Sequence, residues 1–279
     1  MADTPLVSTD WLAEHLESPD IAIIDASWYM PADARDTYSE YLAEHIPGAV
    51  HFDIDTIADP NSDLPHMLPS PIAYSSAMRK LGIGDGQRIV VYDTHGLFAA
   101  PRVWWTFKVM GVDDVSVLEG GLPKWKAEGR PVEDGPVRRP ERHFTARLDH
   151  AIVADLDDVR RALKSGSAQV VDARSAGRFD GSAPEPRPGL KSGHMPGSSN
   201  LPFQELMDGN RLVAPEAVRA AFEKAGVALD RPIVTTCGSG VSAAILALGL
   251  ATAGHGKASV YDGSWTEWAG RDDTEIETG

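Results

Sequence analysis

Residues 232–254 read PIVTTCGSGVSAAILALGLATAG, and this stretch decides the fold. A short β-branched run over residues 232–236 ends at Cys237, glycines stand on both sides of Ser239, and an uncharged apolar run continues to Gly254. The pattern predicts a buried strand, a tight turn, and a helix that starts near Ser239 and ends with Gly254 at C′. Such a strand–turn–helix presents its turn at the carboxyl edge of a parallel sheet, where open α/β folds bind ligands. Residues 88–100, RIVVYDTHGLFAA, repeat the pattern with Asp93 in place of Cys237.

Further paired blocks lie on either side, in the same order. IAIIDASW (21–28) matches QVVDARS (169–175), HIPGAVHFD (45–53) matches HMPGSSNLP (194–202), and VLEGGLPKW (117–125) matches VYDGSWTEW (260–268). The spacings are nearly constant: 147 residues from Asp25 to Asp172, 149 from His45 to His194, 144 from Asp93 to Cys237 and 143 from Trp125 to Trp268. The chain is therefore a duplicated domain. We divide it into a first domain over residues 1–135, a Pro- and charge-rich linker over 136–150, and a second domain over 151–279. Short apolar runs alternate with helical patterns, such as STDWLAEHLES with its capping candidates Ser8, Thr9 and Asp10. Another is VADLDDVRRALKS, with Leu156, Val159 and Leu163 on one face. The expected class is α/β, each domain a mainly parallel sheet flanked by helices.

Composition narrows the function. The 279 residues carry 26 Lys plus Arg against 41 Asp plus Glu, a net charge of -15, which argues against binding nucleic acid or an anionic membrane. No apolar run is long enough to span a membrane, and MADTPLVSTDWLAEHLESPD has neither the basic start nor the apolar core of a signal peptide. A cytoplasmic location is expected, where the single cysteine stays reduced. Residues 1–135 hold 9 basic and 22 acidic side chains and residues 136–279 hold 17 and 19, so the acidity concentrates in the half without the cysteine. His45 and His194 recur in H-x-P-G turns and read as structural, Trp265 and Trp268 as packing residues, and GRDDTEIETG as a mobile acidic terminus.

Gly238 and Gly240 permit φ > 0 or close backbone approach, so the loop amides can curl round whatever lies above the sulfur. A thiolate facing those N–H groups and a helix N-terminus is stabilised, which suits a nucleophile or a persulfide carrier. The competing reading is a buried structural cysteine. A core cysteine needs no glycines after it, however, and Asp93 shows that the scaffold does not require sulfur here.

The segments VSTDWL, FDID, HMLP, DAR, GRF, GHMPGS, CGSGVSA and YDGSWTEW span almost the whole chain. Together they resemble the tandem-domain rhodanese family of sulfurtransferases. Thiosulfate sulfurtransferases of that family typically place basic residues straight after the cysteine. Gly238-Ser239-Gly240 is instead similar to the loop of the 3-mercaptopyruvate sulfurtransferases, as is Gly177-Arg178-Phe179 followed by Glu185-Pro186-Arg187. The resemblance implies a Cys237 persulfide, formed from 3-mercaptopyruvate with release of pyruvate and passed to thioredoxin, a small thiol or cyanide. It assigns a relay to Ser239, His66 and Asp55, substrate contacts to Arg178, Arg187, Gly238, Gly240 and Val241, and a site in the cleft between the domains. It implies no metal or cofactor, and the chain has no C-x-x-C or H-E-x-x-H pattern. On the residues alone Asp53 or Asp63 would serve as well as Asp55, and His66 reads equally as a loop histidine.

The chemistry of the residues fits this assignment. Guanidinium groups grip a planar carboxylate bidentately, although each arginine has an alternative in a surface ion pair with Asp180 or Glu185. Thiosulfate, a dianion, favours a cation beside the sulfur, and a Gly-Ser-Gly loop has none. Two other functions remain open to the residues, a thiosulfate sulfurtransferase and a non-catalytic persulfide-carrier module, and a third, a phosphatase of the C-x5-R type, is weak. The last would need an arginine where this chain has Ala243.

Overall fold

In the computed structural model, which describes residues 4–279, each repeat builds one five-stranded sheet. The first consists of β1 (Leu6–Val7), β2 (Ile21–Asp25), β3 (Val50–His51), β4 (Arg88–Tyr92) and β5 (Val115–Leu118), in the order β1-β5-β4-β2-β3. The second consists of β6 (Val153–Ala154), β7 (Gln169–Asp172), β8 (Ser199–Asn200), β9 (Ile233–Thr236) and β10 (Ala258–Tyr261), in the matching order β6-β10-β9-β7-β8. Every pairing in both sheets is parallel. Strands β2 and β9 are buried at every position, as expected where helices cover both faces.

The chain divides into two compact units, one of residues 1–60, 68–149 and 209–211, the other of residues 61–67, 150–208 and 212–279. Helices α1 (Thr9–Glu14), α2 (Thr37–Ala43), α3 (Pro71–Lys80), α4 (Ala100–Val109) and α5 (Gly121–Ala127) belong to the first. Helices α6 (Leu156–Ser165), α7 (Ala176–Phe179), α8 (Pro215–Lys224), α9 (Ala243–Thr252) and α10 (Ser264–Ala269) belong to the second. Of the three capping candidates before α1, Ser8 takes the role, its hydroxyl accepting Trp11 N–H at 3.1 Å. Helix α6 starts from Asp155, ends at Gly166 in the left-handed region, and buries Val159 with Leu156 and Leu163 packed beside it. Helix α9 has no charged residue and is buried from Ala243 to Leu250, as an all-apolar helix must be. Among the described residues no helix is long and apolar enough to cross a membrane.

Two segments that read as loose chain are held. Residues 130–149 form no helix or strand beyond a single bridge at Glu133, yet Phe144 is buried against Tyr74 and Phe107 and Arg147 N–H donates to Met110 O at 2.9 Å. The C-terminal GRDDTEIETG is docked rather than mobile. His194 and Glu277 exchange backbone hydrogen bonds at 2.9 and 3.0 Å, Trp268 Nε1 donates to Glu275 O, and Gly279 N–H donates to Asp180 O. Backbone pairing needs no apolar side chains, so composition did not reveal it. The first unit has the same closure: His45 exchanges backbone hydrogen bonds with Glu133, and Trp125 Nε1 donates to Pro131 O. Both histidines are structural as expected, each stacked on an aromatic ring (Tyr41 or Phe179) whose own carbonyl lies within hydrogen-bond distance of the histidine Nδ1.

Candidate active site

Cys237 follows β9 directly and is 2% exposed. Helix α9 starts at Ala243, one turn later than the sequence suggests, because Gly240 adopts φ 81° and diverts the chain from a helical path. Residues 238–242 therefore form an open turn after the sulfur, with Ser239, Gly240 and Val241 buried. Gly254 has φ 79° just after the C-cap, as expected. Gly238 serves a different need, since a Cβ built on it would lie 3.0 Å from Arg178 Nη2. One glycine bends the loop, and the other admits a guanidinium.

The start of α10 holds the loop from behind. Cys237 N–H donates to Ser264 Oγ at 3.3 Å, and that hydroxyl donates to Tyr261 O at 2.8 Å. Trp265 N–H donates to Cys237 O at 2.9 Å, while Thr266 donates to Gly238 O through both its N–H (2.9 Å) and its Oγ1 (2.6 Å). Trp265 is fully buried, its Nε1 on Lys191 O and the Arg174 guanidinium over its ring, so it is a packing residue as expected.

Arg178 does form an ion pair with Glu185, but not a surface one. Glu185, its side chain 1% exposed, accepts Arg178 Nε at 3.1 Å and Nη2 at 2.5 Å, and also Arg174 Nη1 at 2.8 Å. Arg174 is fully buried and grips Asp172 with Nε and Nη2. Burial alone would favour a neutral Arg174; Asp172 and Glu185 outweigh it and raise the guanidinium above its ordinary range. Two arginines and two carboxylates thus run from the end of β7 to the cysteine loop. The sequence reading missed Asp172, Arg174 and Ser264 as parts of this surround.

His66 is 6% exposed, belongs to the second unit, and has φ 61°, a region that non-glycine residues seldom occupy. Arg187 Nη2 lies 3.4 Å from its Nε2. The second unit therefore contains Cys237, Gly238, Ser239, Gly240, Val241, Arg178, Arg187 and His66. Asp55 lies in the first unit, where its carboxylate accepts Trp28 Nε1 at 2.9 Å.

The first unit shows what this type of loop holds. Asp93, fully buried, turns its carboxylate into its own loop and accepts N–H groups from His95 (3.0 Å), Phe98 (2.7 Å) and Ala100 (2.8 Å). The repeat places Ser239, Ser242 and Ala244 at the matching positions around Cys237. Ala244 N–H there donates to Val241 O at 3.2 Å. A loop of this kind accommodates a negative group.

A family model, the Rhodanese-like domain, matches residues 8–128 and again 155–271. The chain is 44% identical over 278 residues to the 3-mercaptopyruvate sulfurtransferase of Escherichia coli K12, covering 99% of each. It is 43% identical to the mitochondrial thiosulfate/3-mercaptopyruvate sulfurtransferase 1 of Arabidopsis thaliana, over 98% of this chain and 78% of that one. Among solved structures it resembles SseA from Escherichia coli, a 3-mercaptopyruvate sulfotransferase with the rhodanese fold. The TM-score is 0.88 and the identity 42%, over 94% of this chain and 99% of that one.

Proposed function

Because the chain belongs to the rhodanese-like family and carries two such domains, we propose that it is a 3-mercaptopyruvate sulfurtransferase working through Cys237. The observation that carries the substrate choice is the 44% identity over 99% of the chain to a 3-mercaptopyruvate sulfurtransferase, together with a Gly-Ser-Gly loop that has no cation of its own; Arg178, paired with Glu185, approaches that loop at Gly238. A second arginine, Arg187, stands beside His66. Planar donors at this distance suit the carboxylate of a 2-keto acid.

In the proposed reaction the Cys237 thiolate attacks the substrate sulfur. The S–S bond forms as the C–S bond breaks, and the electron pair leaves on the pyruvate enolate, which takes up a proton to become pyruvate. The negative persulfide then sits where the first unit holds a carboxylate, among the amides of residues 238–242. Ser239 contacts the substrate thiol or keto oxygen and His66 moves the proton. Asp55 keeps the role that the resemblance gives it, fixing the imidazole tautomer. A second nucleophile, such as a reduced thioredoxin, a small thiol or cyanide, removes the outer sulfur and restores the thiolate. We place the reaction in the cytoplasm, where a lone cysteine remains reduced, with neither nucleic acid nor membrane as partner.

Mass spectrometry after addition of 3-mercaptopyruvate tests this reading. A gain of one sulfur on the peptide containing Cys237, with stoichiometric pyruvate, is expected, and Cys237→Ser must abolish both. Full transfer by Cys237→Ser overturns the mechanism. A kcat/KM that favours thiosulfate overturns the substrate choice.

A further inference from the structure

The two units anchor their sheet-edge loops differently, and the repeat supplies the control. One contact is common to both: Leu122 N–H donates to Asp93 O at 3.1 Å, as Trp265 N–H does to Cys237 O at 2.9 Å. Among the described residues, the bonds made by the side chains of Ser264 and Thr266 and by the Thr266 N–H have no counterpart in the first unit. The residue matching Ser264 is Gly121, which has no hydroxyl, and the residue matching Thr266 is Pro123, which has neither hydroxyl nor N–H. The backbone conformation is the same, with φ 52° at Gly121 and 50° at Ser264. The second unit therefore places a fully buried serine in a left-handed conformation that non-glycine residues seldom adopt.

The difference has a physical reason. In the first unit the Asp93 carboxylate fills the loop from inside and ties three of its amides. The second unit must leave that interior open for a substrate and a persulfide, so nothing inside can hold the loop. We propose that Ser264 and Thr266 are positioning residues: a brace behind the loop that fixes the Cys237 backbone and so aims the sulfur. Ser264 holds Cys237 N–H against Tyr261 O, and Thr266 holds Gly238 O twice. With the peptides on both sides of the sulfur-bearing Cα fixed, the side chain has a single base from which to attack. Misplacement of a reacting atom by about 1 Å costs about 100-fold in rate.

The proposal rests on the sulfur-transfer reading, and one experiment separates the two. Ser264→Gly installs the residue that the first unit uses, removing the hydroxyl and the backbone strain together. Thr266→Val removes one donor and keeps the N–H. Persulfide formation on Cys237 is followed by rapid-quench mass spectrometry, alongside steady-state kcat, KM and Tm. The expected result for Ser264→Gly is a Tm close to wild type, because relief of the left-handed strain offsets the lost hydroxyl bonds, a KM within about twofold, and sulfur loading slowed about 10- to 100-fold. Thr266→Val should show a smaller loss of the same kind. Wild-type loading rates in Ser264→Gly overturn the brace. So does a loss of activity that merely tracks a lowered Tm, because the residue is then only structural. Absence of loading in wild type overturns the sulfur-transfer reading instead.

Discussion

Asp93→Ala tests the view that the first unit's loop is built around an internal anion. The substitution leaves three N–H groups, those of His95, Phe98 and Ala100, without the carboxylate that accepts them at 2.7–3.0 Å. An unsatisfied buried donor costs about 1–3 kcal/mol. Ala100 is deeply buried, while the other two bonds lie nearer the surface, where water can replace the carboxylate. The expected loss is therefore about 3–5 kcal/mol. Asp93→Asn keeps the shape and one acceptor oxygen but turns an NH2 toward one of the amides, so about 1–2 kcal/mol is expected. Urea unfolding read by tryptophan fluorescence gives the loss, with Trp104 and Trp105 reporting from α4 just after the loop. Amide exchange at Phe98 and Ala100 gives the local effect, and protection there should fall in both variants. If Asp93→Ala is within about 0.5 kcal/mol of wild type with protected amides, the loop is held by its backbone alone and the anion argument fails for both units.

Other expectations follow from the second unit. Arg178→Ala and Arg187→Ala should each raise KM for 3-mercaptopyruvate about 10- to 100-fold, the worth of a charge-assisted hydrogen bond, with the smaller effect on kcat; an unchanged KM in both returns them to a structural role. Glu185→Gln removes a charge shared by Arg174 and Arg178 and leaves Arg174 buried with Asp172 alone. Unfolding measurements should show a loss of about 1.5–3 kcal/mol, the worth of a charge-assisted hydrogen bond, and a neutral result would mean that water screens this network. Asp273 is held below the ordinary aspartate range of 3.8 by Arg271 and Arg160. Its contribution is complete above that range and disappears as pH falls through the depressed value. The protection factor of the Glu277 amide should therefore stay high near neutrality and fall in strong acid; protection that persists there would show that the backbone bridge suffices.

Much of this structure was written locally in the chain. The repeats, the strand burial, Ser8, Gly240 and Gly254 follow from residues a few positions apart, where backbone geometry restricts the choice. The start of α9 did not, because Ser239 could join a helix and only the left-handed turn at Gly240 prevents it. Glu185 as the common partner of Arg174 and Arg178, and Ser264 behind Cys237, depend on contacts formed only after folding. The sequence did carry one signal for the latter: Ser264 and Thr266 stand where its own first repeat has Gly121 and Pro123. His66 needed the resemblance, since nothing near LPHMLP predicts its positive φ.

The bridges from His45 to Glu133 and from His194 to Glu277 also bear on how the protein can be taken apart. The two matches to the family model end at residues 128 and 271, short of both bridges. A fragment ending at either limit would keep the last strand and helix of its repeat and lose the closing pair, along with the acceptors for the Trp125 and Trp268 indoles. A fragment meant to keep the first repeat's closure must therefore run beyond its last helix to at least Glu133. For the second, the final residues are where a fused peptide would first compete with a structural contact.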